Sequence, residues 1–260
     1  FQTQQAIVNS NLELAKGTGD IDALHDLRVA VKRLKALYQI LEPISGGLFE
    51  YKVHFNDIKK LFKTVGDLRD LQVQSQLFAT LTKETTATDV IGFYQFLQQL
   101  HNQEAKKVEE ALYLFDPEVM NDSLKDISFL LDQYSTEKGL AKILKYQKKR
   151  LKQVKKLLRV ENNEDKIHLM RTRLKQVLYI GELITGIITD VEIPSQTKDL
   201  KKAGEALGYW HDHIMLRLQL KAFMRETPTI KYTYRKALKQ IKMNEASYLD
   251  KARKQLYKYF

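Results

Sequence analysis

One segment of this chain occurs twice. Asp22-Ala-Leu-His25-Asp-Leu-Arg28-Val-Ala-Val-Lys32 returns 143 residues later as Asp165-Lys-Ile-His168-Leu-Met-Arg171-Thr-Arg-Leu-Lys175, keeping D-x-x-H-x-x-R-x-x-x-K with apolar residues matched between. A second element, Gly66-Asp-Leu-Arg69-Asp70, is echoed at an offset of 142 by Gly208-Tyr-Trp-His211-Asp212. Two motifs at nearly one offset point to a duplication, so whatever the first half folds into, the second must fold into as well. The expected halves meet near residue 115, with 1–115 as the first repeat and 116–260 as the second, together one domain. No Ser/Gly linker or low-complexity run offers another division.

Both copies carry helical spacing. Only 4 Pro and 11 Gly punctuate 260 residues, too few for a many-stranded sheet, and long Leu-, Lys-, Gln- and Glu-rich stretches favour helix. With 43% apolar residues the chain can bury a substantial core. The expectation is an all-α protein of about eleven helices, at 2–15, 20–41, 48–65, 68–83, 89–114, 117–134, 138–159, 165–187, 196–207, 209–226 and 230–258. Gly17 and Gly19 end the first helix and Asp20 caps the second, which Pro43, Gly46 and Gly47 stop. Asp116-Pro117 pairs an N-cap with Pro at the first helical position, and Pro194 and Pro228 punctuate the second half. Gly66-Asp67 and Gly208-Tyr209 read as helix ends followed by new starts, which puts Asp70 and Asp212 in first turns where each accepts backbone N–H bonds.

The apolar run Val177–Ile188 is interrupted by Glu182 and is shorter than the roughly 20 residues a spanning helix needs, so no membrane span is expected. A chain that starts at Phe1 reads as a piece of a longer open reading frame, with the cytoplasm as its compartment. Zero Cys removes disulfides, thiolate metal sites and cysteine nucleophiles.

Charge sharpens the functional reading. The formal net charge is +11, yet residues 1–115 hold 13 basic and 14 acidic residues whereas 116–260 hold 30 and 18. At 100° per residue His25, Arg28, Lys32 and Lys35 fall within a stripe of roughly 80°, while Leu27, Val31, Leu34, Leu37, Tyr38 and Leu41 take the other side. His168, Arg171 and Lys175 repeat the stripe, backed by Met170, Leu174, Val177 and Leu178. Along 138–159, Lys145, Lys148, Lys152, Lys155 and Arg159 share one face, in a segment with ten Lys and Arg and no acid. The last helix adds Lys231, Arg235, Lys239 and Lys242. A single basic stripe is ordinarily a solvated surface. Against that, 138–159 has no acid to pair with at i, i+4 and repels itself. A solvated face also has no need of His and Arg at matching positions in two copies. Both features call for an anion that holds the cations together.

Nucleic acid is one such anion, and +11 with a Lys-rich helix is its electrostatic footprint. No helix-turn-helix, zinc-finger or RRM signature accompanies it, and one Trp offers little stacking surface. A metal-dependent phosphohydrolase is the other alternative, since Asp22-x-x-His25 and Asp165-x-x-His168 have a spacing that chelates metals in helical bundles. Both Asp lie in first turns, where capping and the helix dipole explain them, and the Arg and Lys that follow repel a cation. No Gly-rich phosphate loop, H-E-x-x-H or G-x-S-x-G is present. Neither metal nor cofactor is expected, and no catalytic residue. His213, two residues from His211 and so on another side of the helix, reads as core packing or surface, and His54 and His101, with no counterpart in the other copy, carry no functional signal.

These residues resemble the CHAD family, the conserved-histidine α-helical domain, whose halves each carry an H-x-x-R-x-x-x-K-type helix followed by a G-x-x-R/N-D element. The likeness covers about residues 5 to 258. It implies a pseudo-twofold pair of antiparallel helical bundles around a basic central pocket that binds inorganic polyphosphate, and an association with polyphosphate granules. Carried over by position, the binding residues are His25, Arg28, Lys32, Arg33, Lys35 and Arg69, then His168, Arg171 and Lys175. Lys145, Lys148, Lys152 and Lys155 join them through their stripe. His211 stands where the family has Arg or Asn, and Gln176 and Leu178 stand where it continues with Arg. Polyphosphate carries about one charge per phosphate and no base to read, which suits Arg forks and mobile Lys charges.

Overall fold

The computed structural model describes residues 1–18, 20–83, 87–133, 136–160, 163–187, 196–227 and 234–260. Among these the protein is all α, with nine helices and no strand. They are α1 (Gln2–Thr18), α2 (Ile21–Ile44), α3 (Tyr51–Leu81), α4 (Ala87–Leu114), α5 (Val119–Gln133), α6 (Thr136–Leu158), α7 (Glu164–Ile187), α8 (Gln196–Glu226) and α9 (Arg235–Tyr259). The expected markers Gly19, Pro194, Pro228 and Lys231 lie outside the described residues.

The helix starts have local causes. Asp20 Oδ1 accepts the backbone N–H groups of Asp22 and Ala23 at 2.7 and 3.3 Å, satisfying two donors that α2 itself cannot. Asp116 Oδ1 accepts from Glu118 N–H at 2.9 Å ahead of α5, and Asn163 Oδ1 accepts from Lys166 N–H at 3.0 Å at the start of α7. At its far end α2 runs past the expected stop and includes Pro43. The missing N–H costs one hydrogen bond in the final turn, and the helix closes where Ser45 N–H reaches Leu41 O at 2.8 Å. Gly46 and Gly47 follow at φ of 70° and 96°, the left-handed region that glycine tolerates.

Two expected breaks do not exist. Helices α3 and α8, 31 residues each, run straight through Gly66 and Gly208, so four expected helices become two. A glycine inside a helix costs about 1 kcal/mol relative to Ala, which a long helix with a buried face absorbs. Asp70 and Asp212 therefore lie in helix interiors and cap nothing. Helix α6 also starts two residues earlier than expected and takes Glu137 into its first turn, where a negative charge complements the helix dipole.

The chain forms two compact units, each drawing on both sequence halves. Unit 1 holds Phe1–Asp67, Ala105–Lys152 and Gln176–Thr189; unit 2 holds Leu68–Glu104, Gln153–Lys175 and Asp190–Phe260. In unit 1, α1 packs on α2, and Leu27, Val31, Leu34 and Tyr38 are fully buried as their spacing predicts. Ile40 and Ile44 of α2 meet Tyr146 of α6 and Ile180 and Ile184 of α7. In unit 2, α8 packs on α9, and Phe78, Phe93, Phe223 and Tyr234 form an aromatic core in which Tyr234 Oη accepts Phe93 N–H at 3.2 Å. Arg217 of α8, only 7% exposed, is held by Glu164 of α7 at 2.6 Å and Glu245 of α9 at 2.8 Å. These two carboxylates satisfy a buried guanidinium that burial alone would penalise heavily.

Candidate functional site

On α2, His25 is exposed while Arg28, Lys32 and Lys35 are half-buried. The reason lies on α3. The Lys35 ammonium sits 5.2 Å from the centre of the Phe55 ring and 5.5 Å from that of Phe62. Burial, with the nearby charge of Lys59, holds the Lys35 pKa below its ordinary value. Arg28 Cζ stands 5.2 Å from the same Phe62 ring, and its guanidinium fills the space beside Gly66 that a side chain would otherwise occupy. Phe55 and Phe62 carry no motif signal, although steps of seven and four put them with Gly66 on one face of a helix.

Arg33 goes elsewhere. It lies well off the His25–Lys35 stripe by helical angle, with its Nε 3.5 Å from Glu182 Oε2. The pair lines a cavity of about 410 Å³ with Gln4, Tyr179 and Leu183.

The same face of α2 continues to Gln39 and Glu42, which line a groove of about 690 Å³ with α6. Six cations of α6 surround it, among them the expected Lys145, Lys148 and Lys152, against the single acid Glu42. Its floor is Pro43, Ile44 and Tyr146. Lys142 Nζ donates to the Ile44 carbonyl at 2.6 Å, capping the C-terminal end of α2, and Arg150 lies 4.6 Å over the Tyr146 ring while donating to its hydroxyl at 2.6 Å. The fourth expected lysine of this helix, Lys155, belongs to unit 2. It meets Phe260, donating to its carbonyl at 3.3 Å and sitting 5.3 Å over its ring.

In unit 2 the second stripe meets α8. His168 and His211 lie with ring centres 5.2 Å apart. Burial, then the charges of Arg171 and Lys175, pull the His168 pKa below its ordinary value, with Asp165 opposing. Asp212 responds the other way: burial raises its pKa and Asp70 adds to the rise, while Arg171, Lys175 and His213 oppose it. The two aspartates that echo each other in sequence thus act on one another beside the repeat cations. Arg69 donates to Gln72 Oε1 at 3.1 Å.

Two further histidines, His213 and His54, pack. His213 is 2% exposed, its Nδ1 2.7 Å from Tyr209 O and its Nε2 3.2 Å from Asn244 Nδ2. His54 stacks on Phe49 at 4.2 Å, with Ser123 Oγ 3.1 Å from Nδ1 and Asp126 Oδ2 3.2 Å from Nε2. That set has the residue types of a hydrolase triad turned inside out. Ser123 is 0% exposed, so no substrate reaches its hydroxyl, and the histidine serves to tie α3 to α5. Among the described residues no group of three or more His, Asp or Glu could hold a metal ion, and no helix is long and apolar enough to cross a membrane.

Fold and site together define a helical protein that carries two histidine-bearing helices with cationic faces. The CHAD domain profile matches residues 2–221, and the chain belongs to the CHAD domain family, which is associated with polyphosphate binding. Its fold is similar to the crystal structure of the CHAD domain from the plant Ricinus communis, at a TM-score of 0.66 and 17% identity, over 98% of this chain and 88% of that one. No curated protein matches the chain.

Proposed function

We propose that this protein binds inorganic polyphosphate without hydrolysing it. The observation that carries the reading is the cationic face of α2, where Arg28 and Lys35 are held on Phe62 and which leads into a groove with six cations and one acid. From His25 to Glu42 this face extends about 26 Å at 1.5 Å per residue, a track for a chain of phosphates rather than a pocket for one. Such an array repels itself when empty, and a polyanion relieves the repulsion. The second set, His168, Arg171, Lys175 and His211 on α7 and α8, supplies the same residue types. Binding rather than hydrolysis is favoured because each repeat histidine is followed by Arg and Lys, which repel the divalent cation that phosphohydrolases recruit. In cells the expected place is the cytoplasm, on polyphosphate granules.

Competition separates this from nucleic-acid binding, since both depend steeply on salt. Long-chain polyphosphate is expected to displace a labelled DNA duplex at a phosphate concentration at least tenfold below that at which the duplex displaces labelled polyphosphate. The reverse order, or release of phosphate from the bound chain, overturns the reading.

A further inference from the structure

Gly66 lies at a buried position in the interior of α3, where the helix continues on both sides and no turn calls for a glycine. Its surroundings supply a different reason. A Cβ built there would overlap Arg28 Nη1 and stand 3.0 Å from Cζ and 3.4 Å from Nη2, so the guanidinium occupies the volume of the missing side chain. One turn earlier on the same face, Phe62 supplies the ring over which Arg28 lies, 5.2 Å from the centroid. No other described glycine is used this way. Gly17, Gly139 and Gly208 have nothing within 4 Å of a built Cβ, and Gly92 and Gly181 would make ordinary contacts.

We infer that Gly66 is a positioning residue for the anion site: its absent side chain is the slot that holds the Arg28 guanidinium on Phe62, aimed before ligand arrives. The inference rests on the polyphosphate reading for its function, and on the Arg28–Gly66–Phe62 geometry for its structure. An arginine free in solvent must give up its rotamer freedom on meeting a phosphate, whereas one already lodged against a ring and a helix backbone has given it up on folding. The planar fork also keeps one orientation, which two-point contact with phosphate oxygens requires. Lys35 stands 5.5 Å from the same ring centre, so Phe62 contacts two cations of the α2 face.

The echoed glycine does not repeat the device. Gly208 stands at the same motif position but has open space beside it, and α8 instead brings His211 to His168. The glycine therefore seats an arginine in the first copy only.

The experiment is a double-variant cycle with polyphosphate of defined chain length as the probe. The overlapping atoms are the far end of a flexible side chain, so Gly66→Ala displaces Arg28 rather than breaking α3. It is expected to weaken polyphosphate binding about tenfold, as Arg28→Gln does, and Gly66→Ala combined with Arg28→Gln is expected to bind no more weakly than Arg28→Gln alone. Binding by Gly66→Ala at wild-type strength, or losses that multiply in the double variant, overturns the inference. Phe62→Leu gives a second cycle should Gly66→Ala fail to fold, with the same non-multiplying loss expected and a multiplying one decisive against it. Arg28 Nε–H exchange by NMR reads the seat without any ligand. Slow exchange in the wild type, lost in Gly66→Ala, supports the slot even where polyphosphate does not bind, and fast exchange in both removes it. A wild-type protein that binds no polyphosphate but retains the slow exchange thus sinks the functional reading alone.

Discussion

The His168 ring and the Asp212 carboxyl respond oppositely to burial because each resists its own charged form. His168 has a depressed pKa, through burial first and the Arg171 and Lys175 charges next. On the proposed reading, a bound polyanion would reverse the electrostatic part and raise that pKa, so binding is expected to take up a proton and affinity to fall as pH rises from about 6 to about 8. Titrating polyphosphate affinity across that range checks it: His168→Gln is expected to flatten the dependence, and an unchanged slope in the variant counts against the assignment. For folding alone the sign is opposite. The stability contributed by His168 is full above the pKa of the unfolded chain and is lost as pH falls through the lower folded value. Asp212 stands above its unfolded pKa, so the stability it contributes in acid is lost as pH rises through its folded value. At this scale the shared faces of His25, Arg28 and Lys32 and of His168, Arg171 and Lys175 were legible because spacing along one helix settles which side chains share a face. The partners Phe62, Glu182 and Asp70 were not, because spacing on one helix carries no information about its neighbour.

At the scale of elements, two glycines at one motif position have different causes, and neither ends a helix. Gly66 makes room for Arg28, whereas nothing approaches Gly208, which lies in a helix at negative φ. Gly208→Ala is accordingly expected to stabilise the protein by about 0.5–1 kcal/mol through a less flexible unfolded chain and better helix propensity. Equilibrium denaturation measures it, and a loss of stability would mean that α8 needs the glycine for a contact. Helix starts at Asp20 and before α5 follow from cap chemistry that is written locally. The continuity of α3 and α8 is not local, since burial of a helix face over many turns outweighs one unfavourable residue.

For the whole molecule, the surplus of positive charge makes the empty protein repel itself, and anything that binds only the folded state raises its stability. If polyphosphate is such a ligand, concentrations about a hundredfold above Kd are expected to add about 2.7 kcal/mol, which corresponds to a rise in Tm of about 5 °C or more for a chain of this size. A Tm unmoved at saturating polyphosphate argues against binding to the folded protein. What the sequence determined by itself was the class of fold, the echoed motifs and the cationic faces of α2, α6 and α7, because helical periodicity, capping and charge are properties of short segments. Only the tertiary structure decided that Arg33 meets Glu182, that Lys155 meets Phe260, that Asp70 and Asp212 act on one another, and that Gly66 seats Arg28. Each of these joins residues far apart in the chain, and packing alone chooses such partners.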